Sequence, residues 1–415
     1  MLRKDDKILD VTGDVKWIGV LDFDIVTFDI VMNTEFGTTY NSYFINAEKK
    51  AIVEASKDKF SDIHIGKLKS VVAPSEIQYI ILDHTEPDHS GNIARLLEIA
   101  TGAVVVGSGN AIRYLGDIIN KPFSSLIVKD GDTLDLGNKT LKFISAPNLH
   151  WPDTMFTYLV EDKVLFTCDV FGAHYCSDEL FNNFSDDYLE SFKYYFDIIL
   201  KPFSRFAVKA IEKINSLDIN IICPGHGPIH RENWRKIVGL TKSYAEKYID
   251  LTASRDVKNV LITYVSAYGY TKMMAEQIAT GIQESERMNV TIKDIENMSA
   301  GDLESEIVLA DALLVGSPTI NQNTLLPVYK LFSLINPLRD RSKVAGSFGS
   351  YGWSGEAPKI INENLKNLKL KIFEESAVMK FLPGPEKTSA LKDWGRKFAE
   401  FVTAQCDDKK NMGAE

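Results

Sequence analysis

Residues 84–89 read His-Thr-Glu-Pro-Asp-His, which places two imidazoles and two carboxylates within six positions. They follow the apolar run Tyr79-Ile80-Ile81-Leu82, so a strand ends in a dense cluster of potential ligands. Side chains at 84, 86 and 88 can converge on one cation, while those at 88 and 89 splay towards a second. That is the layout of a two-metal site. A solvated acidic loop is the plainer account of an isolated His-x-Glu, but the rest of the chain supplies further ligands.

Those ligands also sit where strands end. The chain has seven histidines: His64, His84, His89, His150, His174, His226 and His230. His150 comes after Leu141-Lys142-Phe143-Ile144, whose alternation is that of a half-buried strand. His226 closes Ile219-Asn220-Ile221-Ile222-Cys223-Pro224-Gly225, and Val164-Leu165-Phe166-Thr167-Cys168 delivers Asp169. Strands that each end in a hard or borderline ligand predict one site assembled at one edge of a sheet. His64 and His230 match nothing in this pattern and are expected at the surface.

From about Val257 the pattern changes to alternating strands and helices. Val260–Val265 is a continuous apolar run, as in a strand covered on both faces. It leads into Ser266-Ala267-Tyr268-Gly269-Tyr270-Thr271 and then a helix with Met274, Ile278 and Ile282 at helical spacing. A strand, a hydroxyl- and glycine-bearing loop and a helix N-terminus form an anion-binding arrangement. Two more strands end in Gly316-Ser317-Pro318-Thr319-Ile320-Asn321 and Gly349-Ser350-Tyr351-Gly352-Trp353-Ser354-Gly355. Three such loops form the crevice where open α/β sheets bind cofactors, and the aromatic rings of the third suit a flat heterocycle. The dinucleotide pattern Gly-x-Gly-x-x-Gly is missing, so a tightly held NAD is not expected.

Composition sets the outer bounds. A chain of 415 residues predicts two domains. A net charge of −10 argues against nucleic acid and anionic membrane as partners. No apolar run approaches the roughly 18 residues that span a bilayer, and the start Met1-Leu2-Arg3-Lys4-Asp5-Asp6-Lys7 is too charged for a signal peptide. A soluble cytoplasmic protein is the reading. Cys168, Cys176, Cys223 and Cys406 include no Cys-x-x-Cys pair, which excludes a rubredoxin-type iron site or zinc ribbon. They are expected to be reduced thiols, the first three packed near strand ends.

The first half resembles the metallo-β-lactamase fold family, with its His-x-His-x-Asp-His loop and later His, Asp and His ligands. It departs at position 86, where Glu stands in place of the usual His and makes the site harder and more anionic, favouring iron over zinc. The pattern His84-x-Glu86-x-Asp88-His89, then His150, Asp169 and His226, together with Leu149-His150-Trp151-Pro152-Asp153-Thr154-Met155, is similar to that of the flavodiiron proteins. Residues 256–402 are similar to flavodoxin, although Tyr268 stands where flavodoxins usually carry Thr. The resemblance therefore spans nearly the whole chain in the same domain order.

It implies an α/β multidomain chain. Residues 1–250 would form a metallo-β-lactamase-like αββα sandwich, 251–256 a linker, 257–402 a doubly wound flavodoxin-like parallel sheet, and 403–415 a charged tail, with Asp407–Glu415 expected to be disordered. One iron would be held by His84, Glu86 and His150 and the other by Asp88, His89 and His226, with Asp169 bridging. His174 and Tyr195 match positions near the iron pocket, where they could hydrogen-bond a bound ligand; for Tyr195, core packing beside Tyr194 and Phe196 is the alternative. FMN would place its phosphate on Ser266, Gly269, Tyr270 and Thr271, with Tyr268 of the same loop also in the cofactor site. Its ring would lie against Ser317, Pro318, Thr319 and Asn321 and against Ser350, Tyr351, Gly352, Trp353 and Gly355.

The function so implied is reduction of dioxygen to water, of nitric oxide to nitrous oxide, or both. Electrons would come from a separate carrier, with rubredoxin the expected donor and a reduced deazaflavin its rival. The family's head-to-tail homodimer, which sets one chain's FMN beside the other's irons, is implied too, with a dimer of dimers as a further assembly. Trp151 is a candidate for the rim of that junction or a buried wedge. Two other readings stay open: a dinuclear zinc hydrolase with an attached flavodoxin, and a non-catalytic electron carrier or gas sensor. Glu86 opposes the first, and the full ligand set opposes the second.

Overall fold

Alternation of apolar side chains decides which way each strand of the N-terminal half faces. In Val164–Cys168, Val164 and Phe166 point to one core and Leu165 to another. In Ile77–Ile81, Ile81 joins the first of these cores and Ile80 a third. This period of two builds a four-layered sandwich. The computed structural model describes residues 5–412 apart from 31, 254, 255 and 383, with side chains as far as residue 405.

The chain divides into two units, residues 1–250 and 251–415. The first holds a seven-stranded sheet in the order Leu9–Asp10, Val15–Trp17, Tyr43–Ile45, Lys50–Val53, Ile77–Ile81, Val104–Gly107, Ser125–Ile127. Facing it is a five-stranded sheet, Thr133–Asp135, Thr140–Ser145, Met155–Leu159, Val164–Cys168, Ile221–Pro224. Trp17, Tyr43, Val53, Phe143, Met155 and Phe166 fill the space between the sheets. The helices Ser61–Val71, Ile93–Ile99 and Gly109–Ile119 cover the outside of the first sheet, and Asp186–Tyr195, Ser204–Ile214 and Trp234–Leu251 the outside of the second. A small hairpin, Thr27–Phe28 with Met32–Asn33, stands apart from both.

In the second unit the parallel strands Lys258–Tyr264, Met288–Asp294, Ala312–Gly316 and Val344–Tyr351 lie in the order second, first, third, fourth. Both Lys371–Ile372 and Ala377–Lys380 then pair with the fourth. This is the flavodoxin-like order, whose ligand crevice lies where the chain reverses direction across the sheet, between the first and third strands. The helices Tyr270–Gln283 and Pro385–Met412 pack on one face, and Ala300–Leu309, Leu326–Leu334 and Ala357–Asn367 on the other.

Several expectations are corrected. The charged tail from 403 is helical as far as Met412, and 413–415 lie outside the described residues. The reason is the stripe Leu391, Trp394, Phe398, Val402, which is buried and carries the helix past the last apolar turn. Of the expected linker, 254 and 255 likewise lie outside the described residues. His64 and His230 are fully buried rather than superficial. His64 accepts from Asn92 Nδ2 at 2.9 Å and meets Ser42 Oγ at 2.9 Å. His230 donates from Nε2 to the Phe171 carbonyl at 2.9 Å and faces Asn182 Nδ2 at 3.0 Å. Each is a hydrogen-bonded core imidazole, a role that one histidine in a sequence does not announce. Cys168, Cys176 and Cys223 are buried free thiols; Cys176 is in a loop, but it packs against Gly37 and Asp22, at the ends of the strands Thr38–Tyr40 and Val20–Asp22.

Candidate metal centre and cofactor loops

The candidate ligands gather at the ends of strands from both sheets, not at the edge of one. The strand Ile77–Ile81 of the first sheet leads to residues 84–89, and Pro87 opens a one-turn helix, Pro87–Ser90, that sets Asp88 and His89 side by side. The second sheet supplies the rest. A register shift between Phe166 and Cys168 marks a bulge just before Asp169, and bulges re-aim the residues beside them. His226 follows Ile221–Pro224, and His150 stands in the loop after Thr140–Ser145.

Two donor groups result. In one, Glu86 Oε2 lies 3.2 Å from His84 Nε2 and 3.0 Å from His150 Nε2, with Asp169 Oδ2 at 3.6 and 3.5 Å from the same two nitrogens. In the other, Asp88 Oδ2 is 2.9 Å from His226 Nε2 and 3.4 Å from His89 Nε2. Asp169 Oδ1 completes it at 3.1 Å from His89 Nε2 and 3.6 Å from His226 Nε2. Asp169 thus turns one oxygen to each group. The donor atoms of His84, Glu86, His150 and Asp169 lie within 4.8 Å of one another, as do those of Asp88, His89 and His226.

The donors fit a pair of iron ions. Asp88 Oδ1 and Asp169 Oδ2 are buried without a hydrogen-bond partner among the described residues, a costly state unless a cation meets them. Carboxylate oxygen and imidazole nitrogen suit iron better than a thiolate-rich set would. Electrostatics agree. Burial pushes the Asp169 carboxyl up, but His89, His84 and His150 outweigh it and hold it well below the usual range. Burial alone would lower His84, yet hydrogen bonds to Asp153 and Glu86 raise it to about 10.

Buried partners set the direction of the rings. His226 Nδ1 donates to the Thr39 carbonyl at 2.6 Å, which leaves the Nε2 lone pair free. His84 Nδ1 meets Asp153 Oδ1 at 3.2 Å, and Asp153 Oδ2 accepts from the Thr85 amide and hydroxyl at 2.8 and 2.7 Å. Sequence reasoning misses these roles of Asp153 and Thr39, and it misses Glu54. Glu54 is open to discovery, since it too directly follows a strand, Lys50–Val53; a backbone carbonyl such as that of Thr39 leaves no sequence signal.

Tyr195 and His174 both come to the site. The Tyr195 hydroxyl donates to Asp169 Oδ1 at 3.0 Å, so it is more than core packing. His174 stacks on Phe28 of the small hairpin at 4.1 Å between ring centres and sets Nδ1 2.8 Å from Thr38 Oγ1. Its Nε2 is buried without a hydrogen-bond partner among the described residues. Burial, reinforced by His226, holds His174 neutral. Trp151 is half-buried, its ring edge-on to His84 at 5.1 Å, which is intermediate between the two positions expected for it.

In the second unit the three loops lock together. Thr271 Oγ1 lies 2.9 Å from Ser350 Oγ, Thr319 N donates to the Ser350 carbonyl at 2.8 Å, and Thr319 Oγ1 accepts from Ala357 N at 3.1 Å. Ser317 donates to the Pro318 carbonyl at 2.9 Å, so the hydroxyls of Thr271 and Ser317 brace the loops. Ser266 is half-buried and Asn321 exposed with φ 54°. Gly269 takes φ 81° at the head of the helix Tyr270–Gln283, which has no side-chain cap. Of its leading N–H groups that of Lys272 donates to Ser266 Oγ at 3.3 Å, and the others suit a phosphate. Tyr268 and Trp353 are 81% and 82% exposed, bare aromatic faces suited to a flat ring, with Tyr270, Tyr351, Gly352 and Gly355 half-buried beside them.

Comparison with known proteins agrees with this layout. The ODP family beta lactamase model matches residues 38–227 and the flavodoxin model residues 262–394. The flavo-diiron protein FprA2 of Clostridium acetobutylicum is 40% identical over 93% of this chain and 97% of its own length. The type A flavoprotein fprA of Rhodobacter capsulatus is 35% identical over 98% and 94%. Rubredoxin oxygen:oxidoreductase from the anaerobe Desulfovibrio gigas superposes with a TM-score of 0.69 at 27% identity, covering 96% of this chain and 99% of that one. The chain belongs to the flavo-diiron protein family, whose members are oxidoreductases. Its cofactors are a non-haem pair of irons and FMN.

Proposed function

We propose that this protein reduces dioxygen to water, nitric oxide to nitrous oxide, or both. The observation that carries the proposal is the split of Asp169, one oxygen towards His84, Glu86 and His150 and the other towards Asp88, His89 and His226. His84, Glu86 and His150 would hold one iron, Asp88, His89 and His226 the other, and Asp169 would serve both. When bound, the irons supply the redox chemistry and the place where a diatomic gas is held, and FMN supplies the electrons.

The chain's own residues prepare that place. Glu86 and His150 are 18% and 19% exposed while the other five ligands are almost fully buried, so the first group lies nearer to solvent. Tyr195 keeps its proton, because burial and the neighbouring Asp169 push it well above the ordinary range, and it steadies the bridging carboxylate. His174 offers the unpartnered Nε2 as a hydrogen-bonding group for an oxygen-bearing ligand. In the second unit Ser266, Gly269, Tyr270, Thr271 and the head of the helix Tyr270–Gln283 would hold the FMN phosphate. Tyr268, Trp353, Tyr351 and the 317–321 loop border the ring.

The electron donor in this reading is a separate rubredoxin, with a reduced deazaflavin as the rival. A head-to-tail homodimer brings FMN to the irons, and the site of action is the cytoplasm. Among the described residues no helix is long and apolar enough to cross a membrane. The test is metal and FMN content of anaerobically purified protein, followed by gas consumption after photoreduction. Two irons, one FMN and rapid loss of O2 or NO are expected, with Asp169→Asn inactive but still FMN-loaded. Two zincs that persist after iron-supplemented expression would instead support hydrolysis.

A further inference from the structure

One buried carboxylate beside the centre has no part in the reading above. Glu54 is 2% exposed and follows the strand Lys50–Val53 at φ 61°, a left-handed backbone uncommon for a residue with a side chain. Its conformation is pinned from several sides. Glu54 N donates to the Ile81 carbonyl at 2.9 Å, Ala55 N to the His89 carbonyl at 2.9 Å, and Ser42 Oγ to the Glu54 carbonyl at 2.7 Å.

The carboxylate then reaches both ends of the ligand loop. Oε1 accepts from Asp83 N at 2.7 Å, immediately before His84. Oε2 lies 3.1 Å from His89 Nδ1 in a charge contact off the N–H axis, and it has no hydrogen-bond partner among the described residues. Gly225 packs against the Nδ1–Cε1 edge of the His89 ring, where a Cβ would stand 2.5 Å from Cε1 and 3.1 Å from Nδ1. Cys168 Sγ, a weaker acceptor, is 3.9 Å from the same Nδ1.

We infer that Glu54 is a positioning residue for His89: by taking the Nδ1 side of the ring it presents Nε2 to Asp88, Asp169 and His226 and makes His89 a ligand of the second iron. The inference rests on the proposed assignment of that group to the second iron. Its chemistry is that of a carboxylate behind a metal-bound histidine, which fixes the tautomer and strengthens the donor nitrogen. Glu54, His89 and Cys168 could instead be taken for a third cation site, since their donor atoms also lie within 4.8 Å of one another. That would require His89 to bind metal through both nitrogens with no ring proton left, whereas metal on Nε2 alone leaves Nδ1 its proton, facing the Glu54 carboxylate.

The test uses the full chain, loaded with ferrous iron under anaerobic conditions, as Glu54→Ala, Glu54→Gln, His89→Ala and the two alanine changes combined. Iron retention is read against a graded chelator series, and the half-reduced iron pair by electron paramagnetic resonance. FMN content and far-ultraviolet circular dichroism check folding. Glu54→Ala is expected to weaken the more loosely held iron by about 10–100-fold and to alter the resonance spectrum. Glu54→Gln, which keeps an acceptor oxygen, falls between it and the parent. Because Glu54 acts through His89, the double variant is expected to lose no more affinity than His89→Ala alone.

Additive losses in the double variant, or an unchanged chelator profile and spectrum in folded Glu54→Ala, would overturn the assignment. So would a third metal in the parent that Glu54→Ala removes. Should Glu54→Ala not fold, the same cycle is run with Glu54→Gln, and additive losses there overturn the assignment equally. A parent chain that takes up no iron pair refutes the proposed function itself, a result read before any Glu54 variant is compared.

Discussion

Tyr195 and Asp169 are joined by a 3.0 Å hydrogen bond from the phenol to Oδ1, the carboxylate oxygen turned towards Asp88, His89 and His226. A donor on a bridging carboxylate draws electron density from it and so favours the reduced, less positive metal pair. Tyr195→Phe removes that donor and leaves the ring. Hydrogen bonds to charged groups are worth about 1.5–3 kcal/mol, and about 1.4 kcal/mol corresponds to roughly 60 mV for one electron. The midpoint potential of the iron pair is therefore expected to fall by tens of millivolts with iron content intact, as followed by redox titration.

Asp153 receives three hydrogen bonds from residues 84 and 85 without facing either donor group itself. Asp153→Asn keeps the size but turns one acceptor oxygen into a donor. It is expected to loosen the His84 iron by about 10–100-fold, with the Asp88–His226 iron less affected. Chelator competition that leaves both irons as tightly held as in the parent would refute the role given to Asp153.

The legibility of the site in the sequence follows from what each ligand attaches to. His84, Asp169 and His226 each come after an apolar run that is a strand in the structure, so the rule that strands end in ligands finds them. That rule cannot say which sheet a strand joins, and the site draws on two sheets because strand partners depend on long-range pairing. His64 and His230 escape it for a related reason. Their partners Asn92, Ser42, Asn182 and the Phe171 carbonyl are remote in sequence, so the sequence carries no sign that these imidazoles are satisfied. In the second unit the continuous apolar strands and the loops after them are local features, and both are legible.

The two buried histidines predict an acid sensitivity. Burial lowers His64 to about 3 and His230 to about 4, from an ordinary value of 6.5. Above pH 6.5 both are neutral whether the chain is folded or not, so they add no pH dependence. As the pH falls from 6.5 towards 4 the unfolded chain takes up protons that the native one refuses, and stability is lost. Each ring costs about 1.4 kcal/mol per pH unit across that window. In urea unfolding of the metal-free chain, His230→Gln is expected to flatten the slope between pH 6.5 and 4.5 by about one proton. An unchanged slope would mean that His230 is not kept neutral by the fold.

Trp353 bears on cofactor binding. Its ring is 82% exposed on the third loop of the crevice, an arrangement that gains from covering by a flat heterocycle. Stacking of a base on an aromatic side chain is worth about 1–3 kcal/mol by alanine substitution. Trp353→Ala is expected to weaken FMN by roughly tenfold or more, measured by quenching of flavin fluorescence on titrating deflavinated protein. Undiminished affinity would place the ring elsewhere in the crevice.

Gly281 and Gly395 allow two helices of the second unit to approach backbone to backbone. A Cβ on Gly281 of Tyr270–Gln283 would stand 2.0 Å from the Lys392 carbonyl oxygen, and one on Gly395 of Pro385–Met412 would stand 2.4 Å from that of Ile278. Alanine favours a helix over glycine by about 1 kcal/mol. Overpacking costs about 1–3 kcal/mol, and here the upper end applies, because a carbonyl cannot turn aside as a side chain can. Gly281→Ala is therefore expected to destabilise the unit by about 2 kcal/mol. Gly301 is the control: it lies in the helix Ala300–Leu309 with nothing within 4 Å of the added Cβ. There Gly301→Ala is expected to stabilise by about 0.4–1 kcal/mol. Thermal unfolding followed by FMN release reads both, and shifts of the same sign would mean that close approach of the helices does not govern this packing.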